Sequence, residues 1–455
     1  MNFEPLFKPR SMAVIGVSLT NDRHPANVIY NKTHLRYPIR VYPVNPRGGV
    51  LQRETVYRSI GALPEAVDHA VIAARAEFVP EIVAECIAAG VGGATVISGG
   101  FAERQRDDLQ QRIATMAREA AFPLVGPNCL GIYVPSVLDT FFLPTERLVR
   151  PEPGRVALVS QSGGVLVDQM VKFAGQGVGL SMAVSIGNKA VIREIELLRY
   201  LLDDSATSVI AFYVEGFGRG EGRQFVLEAA QSCKPVVILK AGKSHQGSRA
   251  VSSHTASLAG NYAVFSQVMA QHGIVEAKNE LELVAFCESL SCYQNTVEGR
   301  VGIITISGGH GALASDACVQ QNLMVPPLSE SDRSTIRANL APRLAAIAGF
   351  DNPIDMTGSA VDDDFFAAAN SLAQISDIDC ILLLLLPYSP GITADLGARL
   401  SQVQRQSGKP LVAYVPHVEK YRMLIEGFEL NRIPVSSSIE GAVLMVAALR
   451  RCRPC

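Results

Sequence analysis

Short apolar runs, each closed by Gly, Ser, Asn or Pro and followed by a stretch with helical periodicity, recur along almost the whole 455-residue chain. A strand that is apolar along its full length, rather than at alternate residues, is buried on both faces. Such strands belong to parallel sheets whose crossover helices cover both sides. This pattern therefore selects one fold class, an α/β protein of doubly wound parallel sheets, before any single residue is considered.

The punctuation divides the runs into three series. Met12–Val17, Val41–Val44, His69–Ala73, Ala94–Ser98 and Phe122–Val125 form the first, with helices predicted over 79–89 and 106–121. After Pro151-Glu152-Pro153-Gly154 come Arg155–Ser160, Ser181–Ile186, Ser208–Val214 and Pro235–Lys240. After Asn295–Gly299 come Val301–Ile306, Cys380–Leu386 and Pro410–Val415. Three Rossmann-like or flavodoxin-like domains are expected, at 1–150, 151–296 and 297–455, in keeping with a usual size of roughly 100–200 residues per domain.

Composition narrows the function classes. A net charge of −2, with no basic block or basic amphipathic helix, argues against nucleic-acid and membrane-surface partners. The nine cysteines are scattered without metal-type or redox-type pairing, the pattern of reduced thiols in a cytoplasmic protein, and no metal site is expected. The start Met1-Asn2-Phe3-Glu4-Pro5 lacks a signal-peptide pattern. The run Ile381–Leu386 is far below the roughly 20 residues of a membrane span.

Ligands of doubly wound sheets bind in the strand-to-helix loops at the carboxyl ends of the strands. The first such loop, Gly16-Val17-Ser18-Leu19-Thr20-Asn21, is not a dinucleotide fingerprint, because Ser18 and Asn21 stand where its second and third glycines belong. Hydride transfer is therefore disfavoured. A plain turn, or a weaker nucleotide or phosphate site on backbone N–H groups, remains open. The second domain opens with Val156–Val159 running into Ser160-Gln161-Ser162-Gly163-Gly164. The third repeats this, with Gly302–Ile306 entering Ser307-Gly308-Gly309-His310-Gly311. Two Ser-Gly-Gly loops, each before a helix, can present free N–H groups and the positive helix end to a phosphoryl group.

His254 lies in Ser252-Ser253-His254-Thr255-Ala256-Ser257-Leu258-Ala259-Gly260, among small polar residues unlike the surroundings of a core histidine. It reads either as an ordinary surface loop or as a phosphoryl carrier, since neutral imidazole is nucleophilic near pH 7. A carrier histidine needs its second ring nitrogen held. Glu215, just past the strand Ser208–Val214, is a candidate, against the alternative of a solvated loop Glu. His310 lies within an anion loop; His24, His34, His69, His245, His272 and His417 are expected at the surface.

Taken together, Ala13–Ser18, Tyr42–Pro46, Gly100-Phe101, Gly126–Gly131, Ser160–Gly163, Gly187-Asn188, Tyr213–Gly216, the His254 segment, Ser307–Gly309 and Asn352–Asp355 resemble the nucleoside-diphosphate-forming acyl-CoA synthetases. The resemblance covers essentially the whole chain and is greatest to the α subunit of the ADP-forming acetyl-CoA type. It implies a reversible reaction of carboxylate, CoA and ATP to acyl-CoA, ADP and phosphate, through acyl phosphate and phosphohistidine. By similarity His254 is phosphorylated, Glu215 orients it, and Ser160, Gln161, Ser162, Gly163, Ser307, Gly308 and Gly309 face phosphate. The first domain would bind CoA through Gly16, Val17, Ser18, Leu19 and Thr20 and through Val44, Asn45 and Pro46, with Asn128 and Cys129 towards the thioester.

No glycine-rich loop ending in Gly-Lys-Ser/Thr occurs, and the third series leaves no room for an ATP-grasp module. ATP or ADP with magnesium is therefore expected mainly on a separate ATP-grasp β subunit, in a hetero-oligomer. The flexible look of 242–260 fits a histidine travelling between two stations. The alternative reading is a non-catalytic CoA-binding or regulatory protein on the same scaffold.

Overall fold

The computed structural model describes residues 1–255, 261–416 and 419–451, without the side chains of 252–255. The chain divides into two compact units, Met1–Glu276 and Ala277–Cys455.

In the first unit the strand Ser11–Ile15 pairs in parallel with Arg40–Val44 on one side and His69–Ile72 on the other; Gly93–Val96 and Leu124–Val125 continue the sheet. Met12 and Val14 pack with Ala26, Ile29 and Tyr30 of the helix Pro25–Arg36. Ala13 and Ile15 pack with Val79 and Val83 of the helix Val79–Ala88 and with Ile113 of the helix Asp107–Glu119. Successive residues of one strand thus bury opposite faces of the sheet, each large aliphatic side chain contributing about 1.5–3 kcal/mol.

A second sheet follows in the same unit. Pro153–Ser160 lies between Leu180–Ser185 and Val209–Val214, and Val236–Lys240 and Val275–Ala277 extend it on the Val209–Val214 side. At the opposite edge Ile132–Val134 runs antiparallel to Leu180–Ser185 and is followed by antiparallel Leu138–Asp139. These two strands depart from the all-parallel expectation. They are too short to leave a readable apolar run. A buried ion cluster fastens this edge to the helix Pro25–Arg36: Asp139 meets Lys32 at 2.8 Å and Arg150 at 2.6 Å. Burial pushes the Lys32 ammonium down to about 8 although Asp139 pulls the other way.

In the second unit Val301–Thr305 lies between Ile354–Asp355 and Cys380–Leu384, followed by Leu411–Tyr414 and Val435–Ser436, all parallel. The helix Glu280–Cys292 belongs here, its Ser289 hydroxyl donating to Met445 O at 2.9 Å. In all three sheets the first parallel strand has the second on one flank and the third on the other. That arrangement opens a crevice at the carboxyl end of the first strand. The loops at Gly16, Ser160 and Ser307 all begin there.

Two expectations are corrected. His69 is fully buried rather than at the surface, because it opens a strand covered on both flanks; its Nε2 lies 2.8 Å from Thr95 Oγ1. The segment read as flexible from 242 is helical from His245 to Thr255. Gln246, Arg249 and Ala250 are good helix formers, and the small residues among them do not prevent the helix. The side chain of His254, residues 256–260 and His417 lie outside the described residues. Cys86, Cys129, Cys287, Cys292, Cys318 and Cys380 are free, and among the described residues no helix is long and apolar enough to cross a membrane.

Candidate active site

The first-unit anion loop is built by a hydroxyl placed two residues before the helix cap. Ser160 Oγ donates to Ser162 O at 2.7 Å and accepts the Ser162 N–H at 3.1 Å. Ser162 caps the helix Gly163–Gly175 by accepting the Val165 N–H. The first helical backbone bond runs from the Leu166 N–H to Ser162 O, and the N–H groups of Gly163 and Gly164 have no acceptor among the described residues. A Cβ on Gly164 would meet nothing within 4 Å, which leaves the space beside that residue open, whereas one on Gly163 would lie 3.2 Å from Leu130. Two aligned N–H groups at a helix start form a site for a phosphate oxygen.

The second unit repeats the device with a different hydroxyl. Thr305 Oγ1 donates to Ser307 O at 3.0 Å and accepts the Ser307 N–H at 3.0 Å, at the start of the helix Gly308–Gln320. His310 Nδ1 lies 3.0 Å from Ser307 Oγ. The Asp355 carboxylate stands beside Gly308, 3.1 Å from where a Cβ would be. This start is therefore less positive than the one at Gly163.

Gln161 takes a different part from its neighbours. Its side chain is buried and fully engaged: the carbonyl oxygen accepts the N–H groups of Glu215 (2.7 Å) and Gly216 (3.2 Å), and the amide donates to Gly216 O (2.8 Å) and to Glu194. Its own N–H is spent on Tyr213 O. Gln161 thus holds the turn that carries Glu215, and Glu215 itself is 5% exposed at the end of Val209–Val214.

Sequence reasoning missed three residues of this turn. Lys189 donates to Glu194 at 2.7 Å and to Gly216 O at 2.6 Å. Lys240 donates to Glu215 O at 2.7 Å; burial pushes its ammonium down while Glu215 pulls it up. Glu194 is 1% exposed, between Lys189 and Gln161. Each looks in sequence like a charged residue at the edge of an element. Only the lack of a local partner at a strand-to-helix loop could have drawn attention to Lys189.

The first-domain candidates share one rim. Gly16 has φ +97°, and a Cβ there would lie 2.3 Å from Ala73 O, so no side chain fits. Asn45 Nδ2 donates to Val17 O at 2.7 Å, the Gly16 N–H to Val44 O, and the Ser18 N–H to Asn27 at 2.6 Å. Ser18 Oγ accepts the N–H groups of Thr20 and Asn21. Leu19, Thr20 and Pro46 are exposed, whereas Val17 and Val44 are buried and offer only backbone.

Asn128, exposed and with φ +56°, donates through Nδ2 to Asn188 Oδ1 at 3.3 Å. Asn188 in turn donates to Gln110 at 2.9 Å and to Glu103 at 2.5 Å. Burial alone would raise the Glu103 carboxyl; the hydrogen bonds from Asn188, Gly100 and Phe101 outweigh it and hold it below the usual range. Cys129 points into the core, its thiol donating to Val96 O, and burial pushes it up to about 12. It can act there only through its backbone. Among the described residues no group of three or more His, Cys, Asp or Glu could hold a metal ion.

Residues 10–135 match the CoA binding domain, and residues 153–290 the succinyl-CoA ligase like flavodoxin domain. The subunit alpha of ADP-forming acetate–CoA ligase I from Pyrococcus furiosus is 32% identical over 458 residues, covering 99% of this chain and 97% of that one. The chain belongs to the ADP-forming acetate–CoA ligase family. Another member, ADP-forming acetate–CoA ligase I of Archaeoglobus fulgidus, is 37% identical over 386 residues, which are 84% of this chain but 55% of that longer one. The chain thus matches little more than half of that relative. A solved family structure, acetyl-coenzyme A synthetase 1 of Ca. Korarchaeum cryptofilum in complex with phosphate and ADP, superposes with a TM-score of 0.88 at 28% identity, covering 99% of this chain and 96% of that one. The α/β fold and the family resemblance read from the sequence are borne out.

Proposed function

We propose that the chain is the CoA-binding, phosphohistidine-bearing α-type subunit of an ADP-forming acyl-CoA ligase. In one direction phosphate displaces CoA from acyl-CoA, giving acyl phosphate and free CoA. The acyl phosphate transfers its phosphoryl group to His254, releasing the carboxylate. Phosphohistidine then passes the group to ADP, giving ATP. Reversal drives thioester formation from the carboxylate.

The N–H groups of Gly163 and Gly164 receive phosphoryl oxygens in the first unit, and Ser307, Gly308 and Gly309 form a phosphate-facing turn of the same kind in the second. Such transfer needs chiefly positioning and charge neutralisation. Glu215 orients His254 so that its reacting nitrogen keeps a lone pair. The 16–20 and 44–46 turns hold CoA: the close backbone approach at Gly16 and the exposed Leu19, Thr20 and Pro46 fit a long phosphorylated ligand on that rim. A separate ATP-grasp β subunit supplies the nucleotide and magnesium site, and the assembly is a cytoplasmic hetero-oligomer. On this reading the domains are 1–150, 151–296 and 297–455, with the helix Glu280–Cys292 from the end of the middle stretch packed into the second unit.

The observation that supports the proposal is the Gln161 bridge, which ties the helix start at Gly163 to the turn of the buried Glu215. The test is incubation of the full chain with 32P-labelled acetyl phosphate. Acid-labile, alkali-stable label that His254→Ala abolishes is expected. Label that survives in His254→Ala overturns the reading.

A further inference from the structure

The first unit contains a cleft of about 450 Å3 between the helix Asp107–Glu119 and the loops that leave the strands Leu180–Ser185 and Val209–Val214. It lies at the carboxyl rim of the second sheet, where ligands of parallel sheets collect. Gly163 and Gly164 do not line it, so it is separate from the phosphate turn.

Four cations face this cleft, and two of them are already neutralised. Lys189 is bonded to Glu194 and Gly216, and Arg193 is ion-paired with Glu221. The other two have donors to spare. Arg118 gives one guanidinium nitrogen to Ala190 O at 2.7 Å. Arg219 makes no ion pair or hydrogen bond among the described residues. The one carboxylate left to oppose them, Asp107, sits in the first turn of its helix, where the macrodipole already favours it. The cleft therefore carries an excess of positive charge in forked donors, the geometry that matches a carboxylate. It is far larger than an inorganic anion requires, and the Phe217 ring supplies an apolar wall.

We propose that this cleft binds a small organic acid, its carboxylate taken by Arg118 and Arg219 and its carbon skeleton lying against Phe217. The site is distinct from the phosphoryl-transfer turn, yet Lys189 in its wall also holds Gly216, the residue after Glu215. An occupant is thus in a position to act on that turn.

Isothermal titration of the full chain with succinate, benzoate and inorganic phosphate tests this without reference to ligase turnover. One of the two organic acids should bind once per chain and should not be displaced by phosphate. Arg219→Ala should weaken it about tenfold or more, the loss typical of a charged hydrogen bond. Because Arg219 has no partner among the described residues, that variant keeps its structure even if Arg118→Gln does not. Absence of binding by both acids at millimolar concentration, displacement by phosphate, or wild-type affinity in Arg219→Ala each overturns the proposal.

Discussion

The side-chain oxygen of Gln161 accepts the backbone N–H of Glu215 at 2.7 Å, joining the loop that follows one central strand to the loop that follows its neighbour. Replacement by Met fills the space but leaves the buried Glu215 and Gly216 N–H groups without acceptors, each costing about 1–3 kcal/mol. Gln161→Met should slow histidine phosphorylation by at least tenfold while CoA affinity stays within about twofold. Phosphorylation by quench-flow and CoA titration measure the two. Unchanged phosphorylation would mean that the bridge does not position Glu215.

Gly164 separates two properties of the anion turn. Alanine there meets no neighbour and removes glycine's backbone freedom, so Gly164→Ala should raise stability by about 0.5–1 kcal/mol. Gly164→Asp places a negative charge beside the free N–H groups and should weaken inorganic phosphate binding at least tenfold with the fold intact. Thermal melts and phosphate titration check the pair. Equal phosphate affinity in both variants would exclude this turn as the phosphate site.

His69 is buried neutral, and burial pushes its pKa from 6.5 to about 3. The unfolded chain therefore binds this proton first, and stability falls as pH drops from about 6.5 towards 3, by up to about 1.4 kcal/mol per pH unit. His69→Gln removes that slope. Urea midpoints between pH 7 and 5 should converge for the two proteins as pH falls. Parallel midpoints would contradict a neutral buried ring.

Glu288 gives the opposite sign. It is buried, accepts the Val435 N–H at 2.8 Å through Oε1, and Oε2 has no hydrogen-bond partner among the described residues; burial holds its carboxyl well above the usual range. The folded state retains the proton, so stability falls as pH rises above about 4.5. Glu288→Gln keeps the acceptor without the ionisation. It should be more stable than the parent at pH 8, and the gain should shrink towards pH 5. Equal melting temperatures at pH 8 would show that Glu288 is ionised in the fold.

The strands that were legible in sequence are those whose burial is continuous, such as Val209–Val214 and Cys380–Leu384. Their boundaries shifted by only one or two residues, because both faces demand apolar side chains along the whole length. Ile132–Val134 escaped because three residues at an antiparallel edge have no period to detect. The two Ser-Gly-Gly turns before helices were legible because their small residues are needed locally. Gln161, inside one of them, was read as a ligand by association, whereas its side chain serves the neighbouring loop. Lys189, Glu194 and Lys240 were not legible, since their roles come from the lateral order of the strands.

The antiparallel pair at the edge of the second sheet bears on how the chain can be cut. Ile132–Val134 covers the outer flank of Leu180–Ser185, although in sequence it precedes the break at Pro151. A fragment starting at 151 would bare an apolar ribbon of unpaired amides, a template for self-association. Recombinant pieces of the middle region should stay dispersed only when they begin upstream of residue 132.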